Sequence, residues 1–233
     1  MDIPRTARFA GVVYLAFALL SIFGFAYLPA TLTVTGDASA TAEAVRASEA
    51  LYRAGVLAAL VAMVLFIVLV ITLYGLFRST NAGLARLMVA LVVVGVAAEF
   101  FTVTLRLGVL ILLSDSGGIG GSDAAAYALV RFQGQASSAI QLFWGLWLFP
   151  FAALVIQSRL MPRILGVLLL LAGMAYTMSS VLAIVAPESL SALAPLLTLL
   201  AAGELPVILW LLVRGARVPL SPGVPAATAA PPV

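Results

Sequence analysis

Apolar residues along this chain come in long unbroken runs, separated by short polar stretches, rather than at the spacing of an amphipathic helix or a half-buried strand. Six runs stand out, at about 9–28, 51–77, 84–113, 124–156, 164–185 and 195–213. A helix needs about 20 apolar residues to cross roughly 30 Å of hydrocarbon, and each run is about that long or longer. The pattern predicts an all-α fold, a polytopic bundle of six transmembrane spans forming one domain over residues 1–213. The tail, 214–233, is rich in proline and alanine without periodicity and is expected to be disordered.

The polar stretches look like connections between spans. Arg5 and Arg8 precede the first run, which raises a secretory signal peptide, but the run exceeds the usual 7–15 residues and is taken as a span. Between the first two runs, Gly36-Asp37 and the residues after it predict a short amphipathic helix capped by Asp37, lying at the extracytoplasmic interface or, more sharply, acting as a lid. Arg78 to Arg86 and Gln157 to Arg163 are tight polar turns, and the glycines between Ser114 and Asp123 mark a loop. Residues 187–191 are expected to be a further loop. Pro150 should kink the fourth span, because proline removes a backbone donor. Ala54, Ala58 and Ala62 offer a small-residue face on the second.

Composition sharpens the class. Apolar residues make up 64% of the 233 positions and charged residues only 9%, far below the roughly 25% of soluble domains. Lysine, cysteine and histidine are absent. That excludes disulfides, thiolate or imidazole metal sites and every nucleophilic dyad that needs cysteine or histidine. No cofactor, no metal and no nucleic-acid partner is expected, and the lipid bilayer is the primary surrounding. Arginine without lysine, with abundant Ala, Val and Gly, hints at a GC-rich bacterial genome. With six spans, one side receives Arg5, Arg8, Arg78, Arg86, Arg159, Arg163, Arg214 and Arg217, while the other receives most of the acidic residues. Cytoplasmic loops carry the excess of basic residues, so both termini are expected on the cytoplasmic side of a bacterial inner membrane.

Candidate chemistry is confined to a few polar residues inside the runs. Glu99 and Arg106 lie in the third and Glu204 in the sixth. Charge at bilayer depth costs at least about 2.5 kcal/mol on insertion scales and faces protein or a water-filled cavity. Counting about 1.5 Å per residue from the nearest arginine puts Glu99 and Glu204 near mid-membrane. Arg106, seven residues after Glu99, shares nearly its face, so a Glu99–Arg106–Glu204 cluster is one expectation. Two carboxylates sharing one arginine would not both ionise readily, which would make a proton-sensitive element. Gln141 and Tyr176 would add polar lining. The competing expectation is that these groups only join helices.

The run SRLMPRILGVLLLLAGMAYTMSS, ending at Ser180, resembles a stretch of a bacterial membrane-protein family catalogued as domain of unknown function 4386. Gly36-Asp37, the stretch Glu49-Ala50-Leu51-Tyr52-Arg53, and Gly203-Glu204-Leu205 before Leu209-Trp210-Leu211-Leu212 are similar to the same family. The resemblance covers nearly all the chain except its tail; it implies the topology and no chemistry. Within the chain, Arg86 to Glu99 lines up loosely with Arg163 to Tyr176, either as an internal repeat or as two generic helices that each begin at an arginine.

Two functions remain open from the sequence. One is a small or lipid-like ligand bound in a buried polar pocket, proton-linked through Glu99 or Glu204. The other is a structural or partner subunit of a membrane complex, self-associating or bound to another membrane protein. No residue spacing selects an enzyme.

Overall fold

Backbone polar groups in hydrocarbon must be satisfied within the segment itself, so long apolar runs fold as helices. The computed structural model describes residues 3–114 and 122–216, and all six runs are helical there. Span 1 consists of α1 (Ile3–Ser21), a π-helical segment (Ile22–Tyr27) and α2 (Leu28–Leu32). After it comes α3 (Ala38–Ala47), too short to span. Spans 2 and 3 are α4 (Glu49–Phe77) and α5 (Ala82–Leu113); span 4 is α6 (Asp123–Leu146) with α7 (Leu148–Ser158). Span 5 is α8 (Arg163–Val185). Span 6 is α9 (Pro187–Ala201), a 3₁₀ turn (Ala202–Glu204) and α10 (Leu205–Val213). The glycine-rich segment 115–121 and the tail 217–233 lie outside the described residues, as does Arg217 with them.

Successive spans run antiparallel. Glu99 and Gly95 of α5 face Ser137 and Phe143 of α6, while Ser180 of α8 donates to the Ala139 carbonyl of α6 at 3.1 Å. α1 and α10 close the bundle. Gly215 packs against Pro4 and Arg8, and Gly11 lies so near α10 that a Cβ there would sit 2.5 Å from the Leu212 nitrogen. Both described chain ends and the turns at 78–81 and 159–162 therefore share one end of the bundle, the arginine end. The opposite end carries α3.

The helix interruptions follow from proline. Pro150 has no N–H for the Leu146 carbonyl, and span 4 breaks there between α6 and α7. Pro206 likewise leaves the Ala202 carbonyl free, and the Leu205 N–H takes it up, which tightens the backbone into the 3₁₀ turn that ends at Glu204. Residues 187–191, expected as a loop, are instead the start of α9. Proline fits the first helical turn, so Pro187 opens the helix directly after Ala186. Of the alanines expected as a small-residue face of α4, Ala58 and Ala62 are buried. Ala54 is exposed, and span 1 approaches through Gly55 and Ala59, which lie against Leu28 and Gly24.

Two apolar clusters fill the bundle. Toward the arginine end, Tyr14, Phe66 and Phe151 gather around Trp147, their ring centroids 5.0–6.2 Å from that of its ring. At the other end, Leu28, Leu32, Ala42, Val45, Tyr52 and Leu113 form the second cluster, which α3 covers. Asp37 caps α3 as expected, its Oδ1 accepting from the Ala40 N–H at 2.9 Å.

Candidate functional site

The intramembrane charges separate into two nests, each placed by a local departure from regular helix. The first is built around Glu204, at the end of the 3₁₀ turn. Its Oε2 accepts from the Tyr14 hydroxyl of α1, and Tyr176 of α8 is its second side-chain partner. Tyr14 is only 1% exposed. The approach of α1 to α10 through Gly11 is what brings it there. In this nest a carboxyl group is met by two hydroxyls.

The second nest lies between α5, α6 and span 1. Glu99 and Arg106 are 1% and 3% exposed. Seven residues separate them, about two turns and roughly 10 Å along the axis, and no ion pair within 4 Å joins them. Glu99 Oε1 accepts from the Ser137 hydroxyl at 2.7 Å, whereas Oε2 has no hydrogen-bond partner. Arg106 Nη1 donates to the Gly24 carbonyl at 2.6 Å, and its guanidinium lies 5.3 Å from the centroid of the Phe25 ring. Gln133 turns its amide oxygen to the guanidinium and accepts from Nε at 3.1 Å and Nη2 at 3.0 Å; the amide nitrogen in that place would set donor against donor. Gly24 and Phe25 both sit in the π-helical segment, a feature frequent at functional sites. Gly24 is also where span 1 touches α4, since a Cβ there would lie 3.0 Å from Ala59.

Beside Arg106 is a chamber of about 20 Å³, whose walls include Leu28, Leu32, Thr33, Tyr52, Arg106 and Gln133. That is room for about one water molecule. Neither the Thr33 nor the Tyr52 hydroxyl is hydrogen-bonded to another described residue. Val45 of α3 forms part of the wall. α3 itself is fastened at both ends: the Tyr127 hydroxyl accepts from the Gly36 N–H at 2.7 Å, and Arg46 pairs with Asp123 at 2.7 Å.

Of the residues expected to form one cluster, Glu204 and Tyr176 meet each other, and Glu99 and Arg106 share the second nest without pairing. No hydrogen bond or ion pair links Glu204 to Glu99 or Arg106. Gln141 is half-buried and belongs to neither nest. Sequence reasoning missed Tyr14, Gln133, Ser137 and the Gly24 carbonyl. The one available signal for Gln133 was its helical spacing with Ser137, four residues on.

Among the described residues no group of three or more acidic side chains could hold a metal ion. The family model described as Domain of unknown function (DUF4386) matches residues 9–215. No curated protein and no solved structure matches the chain.

Proposed function

Starting from a chain that belongs to the DUF4386 family and has the helices of a multi-pass membrane protein, we propose that it binds a small or lipid-like ligand in the nest around Arg106. The observation that carries this reading is a guanidinium 3% exposed, met only by neutral acceptors and a ring, on the wall of a chamber. Buried charge is retained at a cost of several kcal/mol when it is not paired, so an unpaired cation at membrane depth marks a site for a partner. The arginine end faces the cytoplasm of a bacterial inner membrane in this reading, which puts α3 and the chamber on the outer side.

Glu99 is the proton-linked member. Its free Oε2 can take a proton without breaking the Ser137 bond, and its charge acts on the guanidinium two turns away. The test is ligand retention against pH for the wild type and Glu99→Gln. Retention that persists in the variant but no longer varies with pH supports the linkage; identical pH profiles overturn it.

A second reading, a structural subunit of a membrane complex, draws on the Glu204 nest, where the carboxylate has two hydroxyl partners and needs no ligand. Purification in mild detergent tests it: a stoichiometric partner supports a complex, and a lone chain argues against one.

A further inference from the structure

We infer that the chamber beneath α3 takes the head of an anionic amphiphile, an oxyanion on an alkyl chain, with Arg106 as the anchor and α3 as a cover that must lift to admit it. This deepens the ligand-binding reading above and rests on it. The ligand's charge follows from the donors. Three guanidinium N–H groups are spoken for, by Gly24 and Gln133, and two of the five remain. Thr33 and Tyr52, whose hydroxyls are hydrogen-bonded to no other described residue, line the same chamber. A site with a cation and spare O–H and N–H donors suits an oxyanion, and no carboxylate of a described residue pairs with the arginine within 4 Å.

The tail follows from the walls. Leu28, Pro29 and Leu32 of α2 and Val130 of α6 line the chamber, so an alkyl chain on the head has apolar side chains to lie against. A free inorganic anion would gain nothing from them.

The cover follows from size. About 20 Å³ admits a water but no carboxylate or phosphate head, so entry requires a wall to move. α3 is the wall element too short to span, and it is held to the rest by few buried residues, Thr41, Ala42 and Val45. Its Arg46–Asp123 latch is exposed, with side-chain accessibilities of 47% and 32%. Exposed pairs of this kind hold weakly, and segments with few buried contacts open most readily.

The test uses the full chain in an uncharged detergent, with retained probes counted by native mass spectrometry. The probes are dodecanoate, dodecyl phosphate, dodecanol and inorganic phosphate. The expected result is one dodecanoate or dodecyl phosphate per chain, with dodecanol at least about tenfold weaker and inorganic phosphate not retained. Arg106→Gln should weaken the two anions about tenfold and leave dodecanol unchanged. Should that variant not fold, Val130→Phe narrows the tail path with the cation intact and should abolish retention of both. Asp123→Asn should speed probe exchange severalfold while preserving the preference for anions.

Alcohol and anion bound alike, or anions indifferent to both Arg106→Gln and Val130→Phe, would overturn the anionic-head inference and leave the ligand-binding reading standing. Inorganic phosphate held as well as the amphiphiles would reassign the chamber to a free anion. No probe retained at all would remove the inference and the reading together.

Discussion

Both buried carboxylates of this bundle sit in helices otherwise built from aliphatic residues, yet their surroundings differ in the one respect that decides their use. Glu204 is completed by protein: Tyr14 and Tyr176 reach it from two other spans, so the three helices are joined through one carboxyl group. Glu99 is left incomplete, with one hydroxyl on one oxygen and nothing on the other, while Arg106, two turns along the same helix, bonds only to neutral groups. A satisfied polar group inside a membrane joins helices; an unsatisfied one keeps its desolvation cost until something else meets it. The chamber lies at the incomplete nest, with Val45 of α3 in its wall.

The comparison breaks most readily where the helices of the Glu204 nest approach. Gly11→Val should have the largest effect, on the order of 3 kcal/mol, because even a Cβ would collide with α10 backbone and force apart the helices that carry Tyr14 and Glu204. Thermal unfolding in detergent, followed by tryptophan emission, reads it, with Gly134→Ala as the control because nothing lies within 4 Å of a Cβ at that position.

Next in size is Glu204→Leu, which strands two tyrosine hydroxyls and should cost about 2 kcal/mol in the same assay. Glu99→Gln should cost less than about 1 kcal/mol, since the second oxygen has no donor to lose and the Ser137 hydroxyl still finds an acceptor. Equal losses at the two positions would erase the distinction between a completed and an incomplete nest.

The smallest effect is expected at the Arg46–Asp123 pair that holds α3. Asp123→Asn removes an exposed ion pair worth less than about 1 kcal/mol, so the unfolding midpoint should hardly move. Amide exchange should nevertheless rise in α3 and stay unchanged in the spans. Raising the salt concentration should mimic the substitution in the wild type by screening the same pair.

The hydrophobic runs carried the architecture because a span is a one-dimensional requirement: enough consecutive apolar residues, with polar turns between them. Six spans, the cap at Asp37 and the interruption at Pro150 could be read without knowing which helices are neighbours, since each depends on residues a few positions apart. The same reasoning found Glu99, Arg106 and Glu204 by their cost. It joined them into one cluster because depth alone brought them to a common region.

Which group each charge meets was decided by the tertiary structure. Partners come from other spans, and their choice turns on close approaches at single glycines: Gly11 admits α10 to α1 and so gives Glu204 its tyrosine, while Gly24 sets the π-helical carbonyl of span 1 beside Arg106. No local pattern encodes such contacts, because they depend on how helices far apart in sequence pack, rotate and shift along one another. The sequence alone determined that charge is buried here; helix packing determined which carboxyl group is completed by hydroxyls from other spans and which keeps an oxygen without a donor.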